Sequence, residues 1–97
     1  EGIRVMKVQD ILTDEGKWTR GHFARNKDGK SVDKFSPDAV CWCLWGAIEV
    51  AYGEDSKAEA KLRNHLLKIR NSASISYFND MEATFPEVRA LIEELDI

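Results

Sequence analysis

Cys43, His22 and Asp80 are the residues of this chain whose types could do chemistry together. A thiol beside a histidine can be an activated nucleophile, and an aspartate can serve as base or ligand holder, so the three would suit a small hydrolase or transferase if they met in one pocket. The spacing favours a quieter role. Counted from Pro37 as the first helical position, Cys43 is the seventh residue of a helix, beyond the first turn where the helix dipole acts on a thiol. A buried cysteine mostly behaves as a small hydrophobe. Asp80, next to Asn79, is also a turn-forming residue, and a lone carboxylate lacks the paired acid or metal ligand that acid–base work needs. His22 follows Gly21 in a polar stretch near Trp18, where it is either placed for ligand contact or merely solvated. No metal site is expected, because Cys41 and Cys43 diverge on a helix and His22 and His65 form no ligand spacing. No cofactor is expected either, since Trp42 and Trp45 at helical spacing read as packing rather than as a platform.

Charge supplies a second candidate site. The net charge of −3 argues mildly against a dedicated nucleic-acid binder, but its distribution is uneven. Between Ser56 and Asn71, Lys57, Lys61, Arg63, Lys68 and Arg70 face a single acid, Glu59. From Asp80 onward Asp80, Glu82, Glu87, Glu93, Glu94 and Asp96 face only Arg89. The sharper reading is an interaction face at Lys61, Arg63, Lys68 and Arg70 for an acidic partner or phosphates; the plainer one is helix solvation with mutual attraction of the two segments. Trp18 and His22 join the interaction candidates from the loop ahead of the central helix.

These residues need a scaffold, and Ser36 to Gly53 is its centre. Only Glu49 is charged between Ala39 and Tyr52, which is the pattern of a helix buried all round. Ser36 as cap, Pro37 at the first position and Gly53 as the left-handed stop punctuate it. Val5, Val8, Ile11 and Leu12 predict a first helix over about Arg4 to Asp14. His22–Arg25 and Lys30–Asp33 flank Asp28-Gly29 as a small hairpin or long loop, with Phe23, Val32 and Phe35 turned inward. A Ser56–Glu59 capping box opens a third helix to about Asn71, with Leu62, Leu66 and Ile69 on its inner face. Ile75 and Tyr77 read as a short extended piece, and a Thr84–Glu87 box opens a last helix carrying Phe85, Val88, Leu91, Ile92 and Leu95. The small Gly46 and Ala47 imply close approach of the first or third helix.

Gly16-Lys17-Trp18-Thr19-Arg20-Gly21, the run Asp38 to Ile48 with Cys43 and Gly46-Ala47, and Ile75 to Phe78-Asn79-Asp80 together carry a resemblance. Over about Lys7 to Leu95 the chain resembles a domain-of-unknown-function family of small uncharacterised bacterial and phage proteins. The family pattern is roughly G-W-x-x-G, A-x-C-x-x-G-A and W-N-D, and Phe78 stands here where the family usually has Trp. The resemblance implies a fold and a mobile-element setting, not a reaction.

The expected architecture is mainly α: one domain over residues 1–97, with four helices packed around a buried second helix and a small β-hairpin or long loop between the first two. No apolar run is long enough to span a bilayer, no secretory signal opens the chain, and the thiols suit a reducing compartment, so a cytoplasmic protein off the membrane is expected. Met6 is the candidate natural start, with the residues before it a trimmed leader. The function expected first is a non-enzymatic accessory module binding a protein partner. The hydrolase or transferase comes second, and nucleic-acid binding through the basic helix third. Composition does not identify the partner or set the oligomeric state.

Overall fold

The polar groups of the chain between Trp18 and Trp42 find their backbone partners mostly in each other, and this shapes the middle of the molecule. In the computed structural model, which describes residues 6–97, the mainly helical expectation holds. The helices are α1 (Val8–Ile11), α2 (Leu44–Tyr52), α3 (Lys57–Arg70), α4 (Ile75–Tyr77) and α5 (Phe85–Leu95), with a two-stranded antiparallel sheet between α1 and α2. Arg4, Val5 and the leader expected ahead of Met6 lie outside the described residues. A single apolar cluster joins α1 (Val8), α2 (Leu44, Ile48), α3 (Leu62, Leu66) and α5 (Val88, Ile92). No helix among the described residues is long and apolar enough to cross a membrane.

The central helix begins later than expected. Cys43, not Ser36, is its N-cap, and Cys41–Trp42 form strand β2. A continuous apolar run looks the same on a buried helix and a short buried strand, and here Cys41 and Trp42 take the strand. They pair because the preceding segment offers an edge: β1 (Ala24–Arg25) meets β2 in the register Ala24↔Trp42 and Arg25↔Cys41. Val40 N–H donates to Arg25 O at 2.9 Å and Cys43 N–H to Phe23 O at 3.1 Å. Ser36 closes a turn instead, its Oγ accepting from Asp38 N–H. Trp42 and Trp45 are therefore on different elements rather than one helical turn apart.

The turn at Asn26 to Gly29 forms as the Asp-Gly pair predicts, with Gly29 at φ +81° and Asn26 Oδ1 accepting from the Asp28 and Lys30 N–H groups. Lys30–Asp33 also pairs with β1, through the bridge Arg25↔Ser31 and Val32 N–H donating to Ala24 O at 3.1 Å, but forms no strand of its own. The expected inward set is corrected with it. Ala24 is fully buried, Val32 is half-buried, and Phe23 and Phe35 remain 43% and 59% exposed. Lys34 does the anchoring: its Nζ lies 2.9 Å from Glu49 Oε1 in a nearly buried pair, and its carbonyl accepts from Trp42 Nε1 at 3.0 Å. The one charge on the central helix thus binds the loop to it.

Other boundaries shift for local reasons. α1 stops at Ile11, since Asp14 caps a separate 3-10 turn (Glu15–Lys17) and Arg89 reaches across to the Gln9 and Leu12 carbonyls. α3 follows its expected range, but the reciprocal half of its capping box is missing because the Glu59 carboxylate turns to Arg63 at 2.8 Å. Ile69 is 56% exposed rather than inward. Ile75–Tyr77 is helical, not extended, and runs into a π turn (Phe78–Glu82) closed by Ala83 N–H to Phe78 O at 2.9 Å. α5 keeps its complete Thr84–Glu87 box.

Candidate functional site

The three motifs that are far apart in sequence meet at Asn79. This side chain is completely buried and uses its whole hydrogen-bonding capacity. Its Oδ1 accepts from Trp18 Nε1 at 2.6 Å and from the Leu44 N–H at 3.0 Å. Its Nδ2 donates to Thr19 O at 3.1 Å and to Asp80 Oδ1 at 2.8 Å. Asp80 Oδ1 in turn accepts from Gly21 N–H at 2.9 Å, where φ is +83°, a conformation that suits glycine. The π turn that carries Asn79 and Asp80 is a local irregularity of the kind often found at functional sites. One amide therefore ties the Trp18–Gly21 loop, the start of α2 and the π turn into one unit.

Beside this unit lies a pocket of about 190 Å³ lined by Gly21, His22, Phe23, Cys43, Trp45, Ser76 and Asp80. It brings together Cys43, His22 and Asp80, the residues singled out for chemistry. Phe23 and Trp45 form two of its walls in an edge-to-face pair with centroids 5.4 Å apart. Gly46 makes this possible. A Cβ built there would stand 2.4 Å from Phe23 O, so the close approach implied by the small residue is to the strand-leading segment, not to another helix.

Cys43 is 7% exposed, and burial pushes its thiol pKa up, against the N–H groups of Gly46 and Trp45 and with the help of the Asp80 carboxylate. Its Sγ accepts from Gly46 N–H at 3.2 Å as the cap of α2. The thiol is therefore at the helix N-terminus after all, yet its pKa is raised rather than lowered, because desolvation outweighs the N–H groups that face it. Cys41 is half-buried on β2 and is also a free thiol. Among the described residues no His, Cys, Asp or Glu group clusters in a way that could hold a metal ion.

Trp18 is 9% exposed, with Arg20 stacked 4.5 Å above its ring and Phe85 at 6.1 Å, so it belongs to the core it was expected to leave. The basic residues of α3 are scattered among internal partners. Lys61 Nζ donates to Leu95 O at the end of α5, Arg63 binds Glu59 and Ala73 O and lies 5.0 Å over Trp45, and Arg70 pairs with Glu82 over the Phe78 ring. Lys68 alone of the four is exposed with neither an ion pair nor a hydrogen bond among the described residues. His65 is half-buried at the edge of α3.

Sequence reading passed over Asn79 as a turn former and Phe23 as core, and did not consider Ser76. The adjacency of Asn79 to Asp80 beside a tryptophan-bearing loop was the available signal for the first. Comparison with curated proteins and with solved structures finds no match to this chain. Its sequence does match one family model, over residues 6–95, a span that contains the Trp18 loop, the start of α2, the π turn and every wall of the pocket; the chain belongs to the family of unknown function DUF6197.

Proposed function

We propose that the chain is a one-domain, non-enzymatic interaction module of a bacterial or phage accessory protein, engaging a protein partner through the Gly21 to Phe35 segment and the pocket beneath it. The observation that carries this reading is the state of the pocket and its rim. The thiol in its wall has its pKa raised by burial and accepts from Gly46 N–H, while Phe23 at the rim and Phe35 farther along the segment stand exposed near Lys34, whose Nζ lies 5.1 and 5.3 Å from their rings. Exposed aromatics around a concave site are typical anchors of protein interfaces. The α3 face contributes Lys68 and the outer parts of Arg63 and Arg70 as steering charge for an acidic region of the partner. A pull-down from bacterial lysate tests the reading. Phe35→Ser should lose the captured protein, and Lys68→Glu should retain it with weaker salt dependence. Equal recovery by the parent and the Phe35 variant would refute the assignment.

Cys43, His22 and Asp80 sharing one pocket favours, as the second reading, a small hydrolase or transferase. That reading requires a thiolate. With the pKa raised, less thiolate exists at any given pH than in a free cysteine, so alkylation should be slow at neutral pH and accelerate only at a more alkaline pH than for a free thiol. Alkylation of native protein faster than a free thiol at neutral pH, followed by mass spectrometry, would replace the first reading with the second. Nucleic-acid binding through α3 has less to draw on, since Lys61, Arg63 and Arg70 are engaged within the chain.

A further inference from the structure

We infer that the pocket between Gly21 and α2 accepts a single cationic group, an alkylguanidinium or alkylammonium carried on a basic side chain of the partner. The inference rests on the interaction reading above and adds the chemistry of what enters. Four observations point to it.

The first is charge. Among the described residues Asp80 is the only acid lining the pocket, and His22 but no lysine or arginine lines it. Its Oδ1 is saturated by Gly21 N–H and Asn79 Nδ2, which fixes the carboxylate plane. Oδ2 has no hydrogen-bond partner among the described residues, and the pocket brings it a place for a donor.

The second is the loss of the main-chain anion site at the start of α2. A helix N-terminus would ordinarily attract an anion. Here the first-turn N–H groups of α2 are spent inside the protein: Leu44 N–H donates to Asn79, and those of Gly46 and Trp45 are directed at Cys43 Sγ. The main chain of α2 thus keeps no first-turn donor for a carboxylate or phosphate, Trp45 Nε1 is the buried side-chain N–H left without a partner among the described residues of the wall, and Asp80 would repel an anion.

The third is the walls. Phe23 and Trp45 each already have a cation near the ring, Lys34 at 5.1 Å and Arg63 at 5.0 Å. Both of these cations are paired with carboxylates, Lys34 with Glu49 and Arg63 with Glu59, which offsets their repulsion, and a further cation at a free part of either ring would gain quadrupole attraction.

The fourth is size. A volume of about 190 Å³ is below the roughly 300 Å³ at which pockets begin to hold whole drug-sized ligands. It suits one side chain or headgroup.

The experiment titrates the intact protein with propylguanidinium and butylammonium chlorides at constant ionic strength, against butyrate and butanol. Amide and indole N–H shifts in two-dimensional NMR are read at His22, Cys43 and Trp45. The cations should give saturable shifts confined to these residues, and butyrate and butanol should give none. In Asp80→Asn, whose amide oxygen can still accept from Gly21, cation affinity should fall by about tenfold to a hundredfold, the loss expected for one charge-assisted hydrogen bond. Butyrate or butanol binding as well as the cations would overturn the inference on the parent protein alone, without reliance on a variant. Unchanged cation affinity in a folded Asp80→Asn would overturn it too. A blocked Gly-Arg-Gly peptide separates the sources: binding at least as tight as propylguanidinium supports a protein-borne side chain, and exclusion of the peptide overturns that source in favour of a free amine. Absence of cation binding while Phe35→Ser still abolishes partner capture would sink the cationic group and leave the interaction module standing.

Discussion

The side of the molecule held by Asn79 and the side carrying α3 and α5 are both rich in polar residues, but they use them differently. Around Asn79 a buried, neutral amide makes four hydrogen bonds to elements up to 61 residues away in sequence. On the other side, charges settle at or near the surface: Arg63 with Glu59 and Arg89 with Glu93 one turn apart, Arg70 with Glu82, and Lys61 with the end of α5. Removing a buried donor's partner costs its full desolvation, whereas an exposed pair contributes little net of water and entropy. The two sides should therefore respond to substitution very differently, even where the count of broken bonds is similar.

Asn79→Ala should have the largest effect. It orphans two buried donors, Trp18 Nε1 and Leu44 N–H, at about 1–3 kcal/mol each, for a total of about 3–5 kcal/mol. Thermal unfolding should shift down by at least about 12 °C for a domain of this size. A drop of only a few degrees would mean that the amide is replaceable by water and would erase the contrast between the two sides.

Lys34→Met comes next. The Lys34–Glu49 pair has side chains only 13% and 10% exposed, and the Glu49 carboxylate holds the lysine above its ordinary pKa. Leaving Glu49 without its counterion should cost about 3 kcal/mol, the lower end for a broken buried pair. Lys34→Met with Glu49→Met should recover most of that in urea unfolding, because the cost lies in the uncompensated charge. No recovery would show that Lys34 acts through its aromatic neighbours instead.

Gly46→Ala should be destabilising by roughly 1–2 kcal/mol, although alanine is the better helix former by about 1 kcal/mol. The obstacle is Phe23 O at 2.4 Å from the added Cβ, a backbone atom that cannot simply swing aside. A stabilised variant would refute the close approach and with it the wall of the pocket.

The smallest effects sharpen the comparison within α3. Lys61→Glu loses a donor to Leu95 O and places negative charge at the C-terminus of α5, for about 1 kcal/mol. Lys68→Glu, exposed and unpaired among the described residues, should stay within about 0.5 kcal/mol. Equal melting temperatures for the two would mean that the α3 face is uniformly solvated.

Local signals in the chain were sufficient wherever one segment satisfies its own groups. The capping residues Ser56 and Thr84, the Asp28-Gly29 turn and the stripes of α3 and α5 lie within a few residues of their partners, so composition and spacing announce them. The pairing of Cys43, His22 and Asp80 as candidates was also available from residue type. What could not be read along the chain is where long-range partners intervene. Cys41 and Trp42 became a strand because β1 offered them an edge, and this moved the start of α2 and turned Cys43 from a mid-helix residue into its cap. Asn79 became a hub because Trp18 and Leu44 brought buried N–H groups to it. An apolar run has the same pattern in a buried strand or helix, and an asparagine has the same side chain in a turn or a core; only the groups that arrive from elsewhere in the chain distinguish these outcomes.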